Sequence, residues 1–287
     1  MKINQLFPFL RIVPLLLLPL QSAAQQEDQQ QEIEYATNTF LDIRVINAQS
    51  VMLTPQGLLK FNISHRFGQV NEGAYEFWGL DRATIRLSLN YGVTDWLDVG
   101  VARSTYEKTY EANAKASIFN QSTGKENMPV TIAWYSAAFV KSLKWQNPDR
   151  DNLFTSRISY AHQLIIARKF SDRFSLEILP TIVHYNLVER TRQANDRFSV
   201  GIAGKYNITE TFTLNTEYFY RLNGMDRYNN VFSLGFDIMT GGHVFQLHFT
   251  NSRGMFERAF IEETQGKWGN AGVYFGFNIT RLFYRGF

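Results

Sequence analysis

Residues 82–91 read RATIRLSLNY, and in this stretch every odd-numbered residue is apolar and every even-numbered residue is polar. Successive side chains of a β-strand point to opposite faces of the sheet, so the alternation predicts a strand with one apolar and one polar face. Arg86 lies in the middle of the polar face. Such a strand needs an apolar environment on one side and a polar one on the other.

The same alternation recurs along the chain. Clear examples lie at residues 58–67, 109–118, 197–206, 212–221, 232–238, 244–250 and 273–283, and noisier ones at 96–104, 130–141, 154–169 and 174–187. These segments predict an all-β fold of about twelve antiparallel strands, and the irregular connections near 106–108 and 120–128 leave roughly ten to fourteen open. Pro180 predicts a bulge or a strand break, because proline cannot donate to the sheet ladder.

Other architectures explain the pattern less well. A transmembrane helix needs about 20 consecutive apolar residues, whereas the apolar runs after residue 24 reach only about four, as at 137–140. A propeller would repeat a motif every ~40–45 residues, and the sequence has no such motif. A secreted β-sandwich also has strands with one apolar face, so alternation alone does not separate a sandwich from a membrane barrel.

The composition limits the function classes. The 287 residues include no cysteine, which excludes disulfides and thiolate metal sites. The formal net charge of +3 is too small to indicate nucleic-acid binding. With 24 Phe, 14 Tyr and 5 Trp, the chain is far richer in aromatic residues than a disordered chain. We expect no cofactor and no nucleic acid.

The first residues have the features of a secretory signal peptide. Lys2 and Arg11 supply positive charge, residues 12–20 are apolar apart from prolines, and small residues end at Ala24. We therefore expect residues 1–24 to be removed.

Three segments follow the predicted cleavage site. Residues 25–36 form a polar tail rich in Gln and Glu. Residues 37–56 are expected either as a periplasmic lead-in or as a segment inside a barrel lumen. Residues 57–287 contain the predicted strands.

Strand length and connections favour a membrane barrel. The alternating segments reach about ten residues, which suits tilted membrane strands, whereas soluble strands average about 5–6. Tight turns near 92–95, 171–173, 208–211 and 240–242 tend to alternate with longer connections near 68–81, 143–152, 188–195, 223–229 and 252–270. Short turns on one side and long loops on the other are typical of outer-membrane barrels.

Aromatic residues are expected at the membrane boundary. They flank three of the tight turns and predict an interfacial girdle of Tyr91, Phe170, Phe174, Tyr206 and Phe212. The last strand ends in Phe287, a terminal signal typical of proteins handed to the outer-membrane insertion machinery. The expected partners are outer-membrane lipids and that machinery, and both termini are expected in the periplasm of a Gram-negative cell.

Four stretches of the sequence resemble a known family. They read RVIN at 44–47, ISHRFG at 63–68, YGVTDWL at 91–97 and GGHVFQLHFTNS at 241–252. They are similar to an uncharacterised family of Gram-negative outer-membrane β-barrels, a domain of unknown function. The resemblance covers roughly residues 37–287. It implies a barrel in the outer membrane and assigns no catalytic or binding residue.

The polar faces of the strands carry the stronger functional clue. Their charged residues expected to face the lumen include Arg86, Lys115, Arg197, Lys205, Glu217, Arg221 and Asp237. Such residues either pair across the lumen and rigidify it or line a passage for polar solutes. A barrel of eight strands is filled by side chains and one of sixteen is an open pore, so a twelve-stranded barrel lies between the two.

A hydrolase is a weaker hypothesis. Some outer-membrane barrels are lipases with a Ser, His and Asn cluster on the outer surface, and Asn251 and Ser252 follow His248 at a strand end. The spacing of those enzymes is absent, so we do not expect an enzyme. The sequence predicts an outer-membrane barrel that is a narrow channel or uptake protein for small polar solutes. The alternatives are a non-conducting structural or partner-binding barrel and, third, a barrel hydrolase.

Overall fold

The alternating segments of the sequence form the strands of one closed antiparallel β-barrel. The computed structural model describes residues 32–188 and 193–284, and these belong, apart from Glu32, to the unit Ile33–Phe287. The predicted signal peptide, residues 25–31 of the polar tail and the terminal Phe287 lie outside the described residues.

Twelve strands make up the barrel wall, which confirms the predicted architecture. In chain order they are β1 Leu59–Gln69, β2 Thr84–Thr94, β3 Leu97–Ser104, β4 Thr109–Phe119, β5 Thr131–Lys141, β6 Ile158–Lys169, β7 Phe174–Tyr185, β8 Asp196–Asn207, β9 Phe212–Arg221, β10 Val231–Thr240, β11 His243–Thr250 and β12 Tyr274–Phe283. Each strand pairs with the next, and β12 pairs with β1 through contacts such as Ile279 opposite Ile63, which closes the barrel.

Helical structure is minor in the described residues. One α-helix, α1, covers Glu257–Glu262. Short 3-10 turns lie at Val70–Glu72, Ala74–Gly79, Tyr106–Lys108, Phe154–Arg157 and Trp268–Asn270. None of the helices in residues 32–188 and 193–284 has the length and apolar character that crossing a membrane requires.

The burial pattern of the wall is the reverse of that in a water-soluble protein. In β2, Arg86 is 1% exposed, whereas its neighbours Leu87 and Leu89 are 43% and 40% exposed. Charged side chains are rarely buried without partners and large apolar ones are usually covered. The inversion follows directly from the alternation, because the polar face of each strand points into the lumen and the apolar face points outward, where lipid covers it.

Pro180 does not break its strand. β7 continues through it, and Pro180 keeps its place opposite Val200 of β8. On the β6 side the pairing keeps the same offset from Gln163–Thr181 to Ile166–Ile178, with the pairs between them missing. The predicted bulge or break is therefore wrong. The lost ladder contacts stay local, since the pairing on both sides of the gap holds the register.

The two ends of the barrel differ. At one end, here called the turn end, tight connections follow β2, β6, β8 and β10, and the longer 120–130 connection pairs with the chain at Glu34–Tyr35 through Ser122–Thr123. At the other end, the loop end, the connections include residues 70–83, 142–157, 222–230 and 251–273. β1 begins and β12 ends at the turn end.

Two segments fold into the lumen. Residues 37–56, here called the plug segment, enter from the turn end and return there, since Gln56 bridges to Gly92 beside the β2–β3 turn. Residues 251–273, here called the inner loop, enter from the loop end and carry α1. Apolar residues of both segments pack with inward residues of β5–β10 in one buried cluster that includes Phe40, Phe139, Phe219, Phe256 and Phe260.

Candidate functional site

The plug segment makes a tight reversal at its tip. The N–H of Val45 donates to the carbonyl of Ala48 at 2.9 Å, and that of Ser50 donates to the carbonyl of Ile43 at 2.9 Å. The Arg44 guanidinium also donates to the carbonyl of Asn47. These bonds turn the N–H groups of residues 46–48 outward from the reversal, toward the barrel wall.

Glu217 of β9 receives this tip. Its carboxylate accepts from the backbone N–H groups of Ile46 at 3.2 Å, Asn47 at 2.9 Å and Ala48 at 2.8 Å, and from the Asn47 side chain at 2.8 Å. Consecutive N–H groups that converge on one point form an anion-binding concavity. Glu217 is 1% exposed. The N–H groups of the plug segment therefore supply the hydrogen bonds that water would give to an exposed carboxylate.

Lys115 of β4 holds the other side of the reversal. Its ammonium group donates to the carbonyls of Ile43 at 2.9 Å, Ser50 at 2.9 Å and Met52 at 3.0 Å. An ammonium group has three donors, so all of them are used on the plug backbone. The residue is 2% exposed, and its charge is satisfied by carbonyl oxygens.

Further wall residues bind the rest of the plug segment. These contacts come from inward-facing side chains of five strands, with Lys60 and Arg66 both on β1: Lys60 donates to Asp42 at 2.7 Å, Arg66 to the Asn47 side chain at 2.8 Å, Lys205 to the Asn38 carbonyl at 2.6 Å, Gln246 to the Val45 carbonyl at 2.5 Å and Asn278 to the Ile46 carbonyl at 3.1 Å, and Asp98 accepts from the N–H of Thr54 at 2.9 Å. The plug segment is thus held from most of the circumference of the lumen.

The inner loop is anchored to the wall near the loop end. Arg258 donates to Glu107 at 2.6 Å and to Glu263 at 2.8 Å, and the Tyr185 hydroxyl donates to Glu263 at 3.2 Å. Burial works against the charge of Arg258, but Glu263, Tyr185 and Glu107 outweigh it and raise the pKa of Arg258 above its ordinary value. This side of the inner loop is therefore an ionised, hydrogen-bonded anchor.

Glu262, on the same helix, has a different environment. It is fully buried, and neither carboxylate oxygen has a hydrogen-bond partner in residues 32–188 and 193–284. Burial raises the pKa of Glu262 to about 7, although the charges of Arg221 and Arg197 act in the opposite direction. Its protonation state therefore changes near neutral pH.

The plug segment and the inner loop meet inside the lumen. The Arg44 guanidinium lies 3.0 Å from the carboxylate of Glu257, and the Gln49 amide donates to the same carboxylate at 2.9 Å. The Tyr135 hydroxyl of β5 donates to Glu257 at 3.2 Å. Glu257 is fully buried, so a segment from each end of the barrel shares one desolvated carboxylate.

Two cavities lie beside the segments inside the lumen and at its loop end. A cavity of about 10 Å³ lies between it and the wall, beside Asp42, Arg44 and Asp237, which is room for about one water molecule. A larger cavity of about 450 Å³ lies at the loop end between residues 140–145 and the 3-10 turn at Phe154–Arg157. In the described conformation the plug segment and the inner loop both lie in the lumen.

The residues predicted to face the lumen have a common placement. Arg86, Lys115, Arg197, Lys205, Glu217 and Asp237 are all buried at 3% exposure or less on inward faces of their strands. Lys115, Lys205 and Glu217 contact the plug segment directly, whereas Arg86 pairs with Glu111 at 2.8 Å and Asp237 accepts from Gln246 at 2.6 Å. Arg221 is only partly buried, at the loop end, where it donates to the carbonyls of Met225 and Tyr228.

The residues predicted for the girdle lie at the turn end. Tyr91, Phe170, Phe174 and Tyr206 are 40%, 56%, 39% and 45% exposed, and Phe212 is partly covered by contact with Phe236, with ring centroids 5.2 Å apart. Their position at one level of the outer surface suits an interfacial role, which stays a prediction.

Sequence reasoning missed Glu257, Arg258 and the apolar face of α1. It treated residues 252–270 as an outer loop. A signal was present, because Phe256, Ala259 and Phe260 are spaced at three and four residues and so share one side of a helix.

The residues considered for hydrolysis do not form a Ser–His pair. His248 and Ser252 are buried inside the barrel, at 1% and 0% exposure, and the ring nitrogens of His248 have no hydrogen-bond partner among the described residues. His162 does contact a serine, Ser136, at 2.8 Å, on the outward faces of β6 and β5. That serine also accepts from the Trp134 indole at 2.8 Å. Trp134, Ser136 and His162 therefore hydrogen-bond to one another on an otherwise apolar surface.

Comparison with solved structures finds barrels of low similarity. A NanC porin is 11% identical, with a TM-score of 0.49 over 79% of this chain and 99% of the other. An outer membrane channel from Pseudomonas putida F1 is 9% identical, with a TM-score of 0.49 over 80% and 96%. Outer membrane phospholipase A from Escherichia coli is 12% identical, with a TM-score of 0.45 over 83% and 97%. At these values no function is transferred. No curated protein matches the chain.

Comparison with protein families gives a clear match. The family described as "Membrane bound beta barrel domain (DUF5777)" matches residues 40–283. The match begins within the plug segment and ends with β12, so it includes the lumen contents as well as the wall. The chain belongs to this family of membrane-bound β-barrels.

Proposed function

We propose that the protein is an outer-membrane channel or uptake protein for small polar solutes, closed in the described conformation by the plug segment and the inner loop. One observation carries this proposal. The side chains of the wall do not fill the lumen by themselves, and two folded segments occupy the space that remains. Barrels near eight strands are filled by their own side chains, so a twelve-stranded wall without its occupants would enclose a passage.

The chemistry of the wall supports a polar passage. The groups that hold the plug segment are mostly charged or amide side chains, such as Lys115, Glu217 and Gln246. Water can satisfy such groups once the plug backbone leaves, whereas an apolar wall would tend to exclude water. Both signs of charge are present, so we expect polar solutes of small size rather than strict selection for anions.

Orientation and assembly are part of the same proposal. Short turns face the periplasm in outer-membrane barrels and longer loops face outward. We therefore assign the turn end, where residues 32–36 and residue 284 lie, to the periplasmic side. The outer-membrane insertion machinery would act on the final strand and on Phe287.

Conductance of the full-length protein in planar bilayers tests the proposal. We expect discrete steps, each the opening of a barrel whose two segments have left the lumen, together with swelling of liposomes in small neutral solutes. Replacing Arg221 by Ala removes a positive charge at the loop end of the lumen and should shift the ion preference toward cations severalfold. The matched control Arg150→Ala removes an exposed charge from the 142–157 loop and should leave the preference unchanged. A protein that gives neither steps nor swelling would contradict the channel.

A non-conducting structural or partner-binding barrel is the second candidate. The observation that favours it is the apolar packing inside the lumen, where Phe256 and Phe260 of the inner loop lie 5.1 and 5.2 Å, centroid to centroid, from Phe139 and Phe219. Such contacts resemble a permanent core more than a removable gate. Absence of conductance together with a barrel of unchanged stability would support this candidate.

The proposal includes no enzyme activity. Membrane preparations should show no esterase, phospholipase or peptidase activity above that of an empty-vector control. Activity that disappears in Ser252→Ala would overturn this part of the proposal and favour the hydrolase.

A further inference from the structure

The wall recognises the plug segment largely through its main chain. Lys115, Lys205, Gln246 and Asn278 donate to its carbonyl oxygens. In addition, the carboxylates of Glu217 and Asp98 on the wall accept hydrogen bonds from N–H groups of the plug segment. Contacts of this kind do not depend on which side chains the plug carries, so they define a receptor for peptide backbone.

The donor half of this receptor centres on Lys115. Its three bonds reach carbonyls of residues 43, 50 and 52, which lie on the two arms of the reversal. A single ammonium group thereby joins two antiparallel stretches of chain. Gln246 and Asn278 add donors to the adjacent carbonyls of Val45 and Ile46.

The acceptor half centres on Glu217. Its carboxylate binds three consecutive N–H groups, those of residues 46–48. Asp98 adds a fourth acceptor contact, to the N–H of Thr54 at 2.9 Å. Both carboxylates are at most 1% exposed, so neither is satisfied by bulk water while the plug is in place.

The chemistry of these groups narrows the class of solute. If the plug withdraws, donors such as Lys115 and Lys205 and acceptors such as Glu217 and Asp98 become free together. A site selective for anions would present cationic side chains without carboxylates. The groups released here include both, and Arg86 is not among the released cations because it stays paired with Glu111. The carbonyl and N–H groups of a short peptide match the mixed set that is released.

We propose that the plug segment is a ligand held in cis and that the lumen binds oligopeptides through their main chains. This inference rests on the proposed channel function and names the substrate class of the same lumen. Residues 37–56 then occupy the path that a peptide solute would take, and they must leave before a peptide enters.

The test uses the full-length chain with its plug weakened. Asn47→Ala removes the plug side-chain contacts to Glu217, Ser233 and Arg66 and leaves the receptor groups of the wall unchanged. The probe is a fluorescent peptide with the sequence of residues 40–54. It should bind Asn47→Ala in proteoliposomes at least about tenfold more tightly than it binds the wild type, in which the cis segment competes.

Backbone methylation separates main-chain recognition from general adhesion. Methylating the probe at the nitrogens equivalent to Ile46, Asn47 and Ala48 should weaken binding by about tenfold to a hundredfold, the range for a lost hydrogen bond to a charged group. The control probe is methylated at Leu41, Asp42 and Leu53, whose N–H groups make no hydrogen bond among the described residues. It should bind like the unmodified probe.

The outcomes distinguish this inference from the channel itself. If Asn47→Ala fails to fold, Gln49→Ala supplies a second loosened plug, because it removes the plug contact to Glu257 of the inner loop and leaves the receptor groups of the wall unchanged; heat-modifiable gel migration is the check on folding. Solute flux without peptide binding, or equal binding of both methylated probes, would overturn the peptide receptor and leave the channel. Peptide binding without any flux would overturn the channel and keep the receptor.

Discussion

Lys115 shows how much of the plug segment one side chain of the wall can hold. Its ammonium group donates to three carbonyls of the plug segment, those of Ile43, Ser50 and Met52. Each buried polar group left without a partner costs about 1–3 kcal/mol. The plug is therefore held by a few charges at specific positions as well as by apolar packing.

Replacing Lys115 by Met should expose the plug segment. The chain contains no cysteine, so Val51→Cys introduces a single thiol at a position that is 4% exposed inside the lumen. A membrane-impermeant maleimide should label this thiol about tenfold to a hundredfold faster in the Lys115→Met background, the change expected for losing roughly 1.4–2.7 kcal/mol. The control Lys125→Met, at an exposed position of the turn end, should leave labelling slow.

Glu262 should make the seating of the inner loop depend on pH. Its pKa in the folded protein is raised to about 7 from an ordinary value of 4.5. The docked state therefore binds more protons than the released state between about pH 4.5 and pH 7, and docking weakens as pH rises through that window. The charged neighbours among the described residues are Arg221, Arg197 and Glu263.

Hydrogen exchange of residues 251–273 checks this effect. Protection should be greater at pH 5 than at pH 8 by about 1–3 kcal/mol, and Glu262→Gln should remove most of the difference. Glu257→Gln removes the ion pair with Arg44, so it should lower protection at both pH values and leave the difference between them in place. A pH response that is unchanged in Glu262→Gln would show that another group is responsible.

At the level of elements, the plug segment and the inner loop should behave as one coupled unit. Arg44 and Glu257 join them across 3.0 Å in a buried setting. Removing either partner leaves a desolvated charge, so each single change should loosen both segments. Breaking a buried pair in this way typically costs about 3–5 kcal/mol.

A double-mutant cycle measures the coupling. Arg44→Met, Glu257→Gln and the double variant are compared by labelling of Val51→Cys and by hydrogen exchange of the inner loop. The double variant should cost less than the sum of the single variants, by roughly 1–3 kcal/mol. Strict additivity, or loosening of only the segment that carries the substitution, would argue that the two segments act independently.

The elements also show what sequence reasoning can reach. The wall strands can be predicted from period-two alternation, because polar side chains point inward and apolar side chains point outward at alternate residues. Arg86 points inward, whereas Leu87 and Leu89 point outward. The plug segment and the inner loop have no such alternation in their sequences. Their positions depend on contacts across the barrel, such as Glu217 with Ala48, which are 169 residues apart.

The face on which a wall residue lies could therefore be predicted from the sequence, but the group that it contacts could not. The inward position of Lys115 and Glu217 follows from strand parity alone. That their partners are backbone groups of the plug, and not charges on the facing wall, depends on a tertiary fold that parity cannot describe. Pro180 is a similar case, since the ladder around it tolerates a missing donor that local rules treat as a break.

For the molecule as a whole, the outward apolar face should set stability in the bilayer. Leu89 lies near the middle of β2 and Val93 lies near its turn end, and each is 40% exposed on the outer surface. Arginine on the lipid face costs about 2–4 kcal/mol at the bilayer midplane and about 0–1 kcal/mol near the interface.

Leu89→Arg should therefore destabilise the folded barrel in lipid vesicles far more than Val93→Arg. Denaturant titration followed by heat-modifiable gel migration gives the two free energies of unfolding. Equal costs at the two positions would mean that the membrane lies elsewhere on this surface.

The way in which the two segments enter the lumen has a topological consequence. The plug segment begins and ends at the turn end, and the inner loop begins and ends at the loop end. Neither is threaded through the barrel, so each can withdraw through its own mouth while every strand pair, including the seam between β12 and β1, stays intact. The wall and its contents are thus mechanically separable, and the barrel can close first and take up its occupants afterwards.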